Sequence, residues 1–307
     1  MKQHSLLLMS KEKLVWQETL LPPLKDDEVL IKTIAGAISI GAELPQFQEK
    51  DMSVIHPIYP KGTGYESYGE VVQVGCNVTS VAAGDKVLAF YGHQDFGVVK
   101  VQKVTIVPDD LHPSYALLSI LSCDAAKGVL KLKPKQGDKV LIIGMGVIGL
   151  LTVYFLKYHL GVEYIDAIEP NPHRRELAKK FGVNEVFSSA KQVTRNYTYG
   201  FECSATNAGF QSLQQLLLQS GEICILSDGN KEGFTLHPTF YEKELRIVAS
   251  SDGIDYRKHA EWFFTKVRET PFVNEIFQYE VTKDNLIQCF HDLSDDKIQP
   301  VKVLVHY

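Results

Sequence analysis

The chain has 307 residues, 45% of them hydrophobic and 22% charged, with a formal net charge of −5. That length exceeds the size at which one core keeps growing, so two domains are expected. The acidic balance and the lack of a basic cluster argue against a nucleic-acid partner, and no apolar run approaches the roughly eighteen residues that cross a bilayer.

In chain order, residues 1–9 carry a brief apolar run that Lys11, Glu12 and Lys13 stop, with no small-residue cleavage site after it. This reads as a first strand rather than a signal peptide, and a cytoplasmic location is expected. Short β-branched runs follow at 15–20, 29–35, 70–74, 86–89 and 97–101, divided by turn signals such as Pro22-Pro23 and Gly75-Cys76-Asn77. Their spacing suggests a small antiparallel barrel. From about Ser114 the apolar period turns helical at 115–118 and 125–130, with Asp124 a candidate cap for a helix starting at Ala125.

Beyond the turn Lys133-Pro134-Lys135-Gln136-Gly137-Asp138, strands and helices alternate as a parallel sheet requires. Strands are predicted at 140–143, 164–168, 200–204, 222–226 and 245–250. Helices are predicted at 150–158, 171–181 (Asn171 as cap, Pro172 first, Gly182 ending it) and 209–218. Helical periods return at 258–267 and 283–293, and a strand at 301–305 closes the chain.

The most informative segment is Val140-Leu141-Ile142-Ile143-Gly144-Met145-Gly146-Val147-Ile148-Gly149, followed about twenty residues on by Glu169. Four apolar residues make a buried parallel strand. Gly144 permits the tight exit turn, Gly146 lets the backbone approach a pyrophosphate, and Gly149 lets the next helix sit close to the sheet. Val147 and Ile148 open that helix, whose free N–H groups and positive dipole end face the phosphates. At the tip of the second strand Glu169 can accept from both hydroxyls of an adenosine ribose and repels a 2′-phosphate, which favours NAD. Arg174 and Arg175 keep NADP as the alternative, since a guanidinium there can pair with that phosphate; otherwise one of them lies over the adenine.

Cys76, Cys123, Cys203, Cys224 and Cys289 are scattered and odd in number, without C-x-x-C spacing. Reduced, mostly buried thiols are expected, and neither a zinc ribbon nor a redox pair is indicated.

These segments resemble the medium-chain dehydrogenases/reductases, the zinc-type alcohol dehydrogenase superfamily, nearly end to end. Residues 61–75, KGTGYESYGEVVQVG, are similar to the family's G-H-E-x-x-G-x-V-x-x-V-G; Gly84-Asp85-Lys86-Val87 is similar to its G-D-x-V; Lys243-Glu244-Leu245 is similar to its K-E-L strand. The resemblance implies an α/β chain: a Rossmann doubly wound parallel-sheet domain at 119–254, and a β-rich GroES-like barrel domain from 1–118 and 255–307. It also implies a homodimer.

The departures concern the metal. In the zinc enzymes a Cys, the His of G-H-E and a third Cys, Asp or Glu hold a catalytic Zn²⁺. Here the first neighbourhood, residues 36–43, has no Cys, the second position is Tyr65, and the third aligns with Ser119 or a near neighbour, with Cys123 and Asp124 one turn on. The four-cysteine structural-zinc lobe is missing as well. No metal is expected. Ile38-Ser39-Ile40-Gly41-Ala42-Glu43-Leu44 with Gly64-Tyr65-Glu66 most resembles the bacteriochlorophyllide-type hydroxyethyl dehydrogenases, although Ala42 replaces their Thr.

That branch implies interconversion of a small-molecule secondary alcohol and a ketone by direct hydride transfer. Without zinc, Tyr65 is the leading candidate to hydrogen-bond the substrate oxygen and act as general acid/base; packing in a wall is its other reading. Ser39 is a second donor or a turn residue, and His93 a third candidate whose ordinary role is that of a solvated loop histidine. Glu66 is expected to pair with a buried Arg or Lys. Two other function classes remain: an NADPH-dependent quinone or enone reductase, and a nucleotide-binding relative without turnover.

Overall fold

The computed structural model describes residues 1–228 and 230–307. The chain divides into two compact units, Met1–Ser119 with Ile276–Tyr307, and Ile120–Glu275.

The first unit begins with β1 (Lys2–Ser10) and β2 (Lys13–Leu20), paired antiparallel. Then come β3 (Glu28–Ile38), α1 (Ile40–Phe47), β4 (Lys61–Gly62), β5 (Glu66–Val74), β6 (Lys86–Ala89), β7 (Phe96–Lys100) and β8 (Thr105–Ile106). β4 joins the far edge of β1, while β3, β5, β6 and β8 are neighbours in a second sheet, with β7 on β3. The β-rich reading of this region holds because alternate residues point to one core: Val29 and Ile31 from β3, Val71 from β5 and Val87 from β6 have no exposure. α1 was not expected. Its Pro45 and Gly41 hide it from a propensity reading.

The helical periods at 115–118 and 125–130 belong to a single helix, α2 (Pro113–Leu132). Asp124 is therefore not a cap but an interior residue of α2. Polar residues between the two periods are accommodated inside it: Ser119 Oγ donates to the carbonyl of Ala116, 2.6 Å away.

The second unit continues with β9 (Lys139–Ile143), α3 (Val147–Tyr158), β10 (Tyr164–Ile168), α4 (Pro172–Lys180), β11 (Glu185–Phe187), β12 (Tyr197–Glu202), α5 (Asn207–Leu216), β13 (Leu217–Ile225), α6 (Thr239–Glu242), β14 (Arg246–Ala249) and α7 (Tyr256–Glu269). Its six strands run parallel in the order β11-β10-β9-β12-β13-β14, the doubly wound arrangement expected. The order reverses at β9, so the crevice for a ligand lies beyond its carboxyl end. Val140, Leu141 and Ile142 are completely buried between the helical layers, which is why this strand reads as a continuous apolar run. α5 stops two residues short of the predicted end because Leu217 already starts β13.

The unit extends past the expected boundary at 254 because α7 packs into it. The Tyr154 ring of α3 lies 5.7 Å from Phe263 and 6.5 Å from Phe272, and its hydroxyl is 2.6 Å from Thr270 Oγ1. The chain returns to the first unit with β15 (Phe277–Thr282), α8 (Leu286–Ser294) and β16 (Lys302–His306). β16 pairs antiparallel with β3 and parallel with β15, so this sheet is mixed rather than purely antiparallel. Among the described residues no helix is long and apolar enough to cross a membrane.

Candidate active site

The glycine turn has the geometry its sequence requires. Gly144 adopts φ +91°, a left-handed conformation that other residues enter only with strain. A Cβ on Gly149 would stand 1.9 Å from the carbonyl oxygen of Gly144, so helix and strand approach as closely as glycine allows. A Cβ on Gly146, in contrast, would meet nothing within 4 Å: the backbone faces open space at the helix N-terminus, where a pyrophosphate fits. No side chain caps that terminus, which leaves the first N–H groups of Val147, Ile148 and Gly149 for a ligand.

Glu169 follows β10, only 5% exposed. Its Oε2 accepts from Met145 N (2.7 Å) and its Oε1 from Asn171 N (2.8 Å), which ties the glycine turn to the start of α4. Each oxygen keeps a lone pair for a ribose hydroxyl. Asn171 caps α4 as predicted, accepting from His173 N and Arg174 N. Of the two arginines, Arg175 folds back onto the carbonyls of Glu169 and Pro170. Arg174 differs: its Nε is buried without a hydrogen-bond partner. An orphaned guanidinium nitrogen of this kind fits a site that an anionic or aromatic ligand completes.

In the first unit, register brings the other candidates together. β3 and β5 are antiparallel with Ala37 opposite Glu66, so Ser39, just past the end of β3, and Tyr65, just before β5, lie at the same end of the ladder. The Tyr65 hydroxyl donates to Ser39 Oγ at 2.7 Å. Ser39 is buried and Tyr65 half-buried. His93 is not the solvated loop residue expected. It is 2% exposed, with Nε2 3.0 Å from Glu43 Oε2 and Nδ1 3.4 Å from the Tyr307 hydroxyl. Glu66 pairs with a buried cation as expected: Lys302 Nζ lies 2.7 Å from its Oε1, and both side chains are almost wholly buried.

Asp124 has a different setting. It accepts from the Tyr256 hydroxyl at 2.7 Å, and that hydroxyl itself accepts from Gly253 N. Burial is the main reason its carboxyl is pushed up to about 6, with Asp252 and Asp228 adding to the rise. Of the cysteines, all free, Cys123, Cys224 and Cys289 are buried and Cys76 is exposed.

Sequence reasoning missed Glu43, which joins Ser39 to His93, and Lys302. The contacts of Glu43 with His93 and of Lys302 with Glu66 span 50 and 236 residues, and no local pattern signals such pairs. Among the described residues, no group of three or more His, Cys, Asp or Glu side chains is placed to hold a metal ion.

A doubly wound nucleotide unit inserted into a β-rich one, with an open glycine turn, defines the medium-chain type of dehydrogenase/reductase. Residues 147–264 match the zinc-binding dehydrogenase family model. The chain is 27% identical over 284 residues to the (R,R)-butanediol dehydrogenase of Bacillus subtilis, covering 80% of this chain and 81% of that one. Among solved structures it resembles a zinc-binding dehydrogenase of Sinorhizobium meliloti bound to NADP, with TM-score 0.84, 19% identity and full coverage of both chains. It also resembles the acetophenone reductase of Geotrichum candidum in complex with NAD, with TM-score 0.84, 19% identity and coverage of 100% and 97%. The chain is thus similar to the zinc-type alcohol dehydrogenases in its nucleotide unit and in its fold.

Proposed function

We propose that this enzyme interconverts a secondary alcohol and the matching ketone by direct hydride transfer with NAD(H), using Tyr65 and Ser39 in place of a catalytic zinc. The observation that carries the reading is the 2.7 Å bond from the Tyr65 hydroxyl to Ser39 Oγ. Tyr65 stands at the position of the family's G-H-E histidine, and Ser39 lies in the segment where the family has its first cysteine. A neutral phenol and a serine hydroxyl are poor zinc ligands but good donors to an alkoxide-like oxygen.

When bound, the nicotinamide accepts or supplies the hydride at its C4. In ketone reduction the Tyr65 hydroxyl gives its proton to the substrate oxygen as the carbonyl carbon gains a hydride. The phenolate oxygen then takes the proton of Ser39 Oγ, which water replaces. Oxidation runs the same transfers backwards, with one proton moved per hydride. Glu66 does not take part, since Lys302 holds it in the core.

Gly144, Gly146, Val147, Ile148 and Gly149 hold the pyrophosphate, and Glu169 the adenosine ribose. The charge of Glu169 supports NAD over NADP, with Arg174 over the adenine. A cytoplasmic homodimer paired along the outer edge of β14 completes the proposal. The likeness to a butanediol dehydrogenase supports an alcohol as substrate.

The test is metal analysis of purified protein together with nicotinamide absorbance during turnover of a panel of secondary alcohols and ketones, for the native chain and Tyr65→Phe. Turnover without bound metal, falling at least about a hundredfold in Tyr65→Phe, is expected. Dependence on stoichiometric zinc, or an undiminished Tyr65→Phe, overturns the mechanism. Reduction of enones alone, with NADPH, replaces it by a carbon–carbon double-bond reductase.

A further inference from the structure

The first turn of α1 is capped in an unusual way. Ser39 is its N-cap residue, a position where a serine hydroxyl ordinarily accepts a backbone N–H from two or three residues on. Here it makes no such bond and meets the Tyr65 hydroxyl instead. Glu43 reaches back to the cap residue: its Oε1 accepts from the backbone N–H of Ser39 at 2.8 Å, from one position beyond that of the acid in a capping box.

The other oxygen of Glu43 lies against His93 Nε2 at 3.0 Å. His93 is itself fixed on all sides. Its backbone N–H donates to the carbonyl of Thr63 and its carbonyl accepts from Leu6 N, both at 2.8 Å. Its ring presses on Gly64, where an added Cβ would come within 2.7 Å, and meets the edge of Phe290 at 6.1 Å between centroids. Both oxygens of Glu43 are thus engaged, one by Ser39 N and the other by His93.

We infer that Glu43 and His93 are positioning residues for the Tyr65–Ser39 pair, holding the backbone of Ser39 so that its hydroxyl meets that of Tyr65. The inference rests on the function proposed above for Tyr65. Without the carboxylate, the Ser39 N–H loses its acceptor and the backbone that aims the serine hydroxyl is no longer held. Tyr65 then loses the serine hydroxyl although neither it nor Ser39 has been changed.

The experiment compares Glu43→Ala with Glu43→Gln, since both lack the charge and only the glutamine can still accept from Ser39 N and donate to His93. Titration of Tyr65, read by ultraviolet difference against Tyr65→Phe in each background, needs no substrate. Loss of the serine hydroxyl's bond to the phenolate should place Tyr65 about one unit higher in Glu43→Ala than in Glu43→Gln. With an alcohol, kcat should fall about tenfold in Glu43→Ala, with NAD affinity unchanged, and return to within about threefold of native in Glu43→Gln. Equal Tyr65 titrations in the two variants, or a glutamine variant as impaired as the alanine one, overturn the inference. Should Glu43→Ala not fold, Glu43→Asp, whose shorter carboxylate cannot span Ser39 N and His93 together, is compared with the native chain under the same criteria. If the native chain turns over no alcohol or ketone, the proposed function fails and the Tyr65 titration alone decides this inference.

Discussion

Lys302 and Glu66 form an ion pair at 2.7 Å in the core of the first unit, with side-chain exposures of 1% and 0%. β16 contributes the lysine and β5 the glutamate, and both strands flank β3, so the pair spans the strand that leads to Ser39. Lys302 Nζ also lies 5.9 Å from the centre of the Phe277 ring. Removing one partner leaves a buried charge without compensation, which costs far more than the pair itself contributes. Lys302→Met should lower unfolding free energy by about 3–5 kcal/mol in urea titrations. The double variant Lys302→Met, Glu66→Leu should regain much of that loss. A single variant within about 1 kcal/mol of native would show the charge to be solvated.

Gly146 and Gly149 stand three residues apart and should respond oppositely to alanine. Gly146→Ala meets open space, at an ordinary φ of −74°. It should melt within about 2 °C of native, yet bind NAD at least about tenfold more weakly because its methyl group occupies the approach to the pyrophosphate. Gly149→Ala would push α3 off the carbonyl of Gly144 and should lose both stability and binding. Calorimetric melting with and without NAD separates the two, and retained NAD affinity in Gly146→Ala would remove the turn from the site.

Asp124 gives the stability a pH dependence of definite sign. Its folded pKa, raised from 3.8 to about 6 chiefly by burial, means the native state binds its proton more tightly than the unfolded chain does. The stability this contributes is complete below pH 4 and is lost as pH rises through 6. Asp124→Asn keeps an acceptor for the Tyr256 hydroxyl without the charge. Relative to native, it should gain roughly 3 kcal/mol between pH 4 and pH 7, measured as the difference in unfolding free energy. A difference that stays flat across this range would mean that Asp124 titrates normally.

Much of the nucleotide unit could be read from residue order. Apolar runs mark its buried strands, and the glycines, Asn171 and Gly182, the last at φ +94°, punctuate the helices in ways backbone sterics demand. The other unit was less legible. α1 is short and contains Pro45; α2 is buried on most of its surface and carries serines, which blurs the 3.6-residue period. The Tyr65–Ser39 pair follows from the register of β3 and β5, and register depends on cross-strand packing rather than on local sequence. His93 was misread for a similar reason: its surroundings come from Gly36, Gly64, Phe290 and Tyr307, four segments distant in the chain.

Glu169 predicts the cofactor preference. With its carboxylate at the tip of β10, NAD should bind at least about tenfold more tightly than NADP. Glu169→Gln preserves the acceptor for Met145 N while removing the charge, and should narrow the ratio chiefly by improving NADP. Isothermal titration of both nucleotides gives the answer directly; equal affinities in the native chain would assign the 2′-phosphate to Arg174.

The unused capping capacity of Ser39 has an evolutionary side. Most N-cap serines are constrained because the helix behind them weakens when the hydroxyl is lost. In α1 the Ser39 hydroxyl makes no such bond, so the helix does not depend on it and residue 39 can vary with small penalty to α1. A lineage could therefore exchange a thiol for a hydroxyl at this point, or the reverse, and pass through folded intermediates while its chemistry changed.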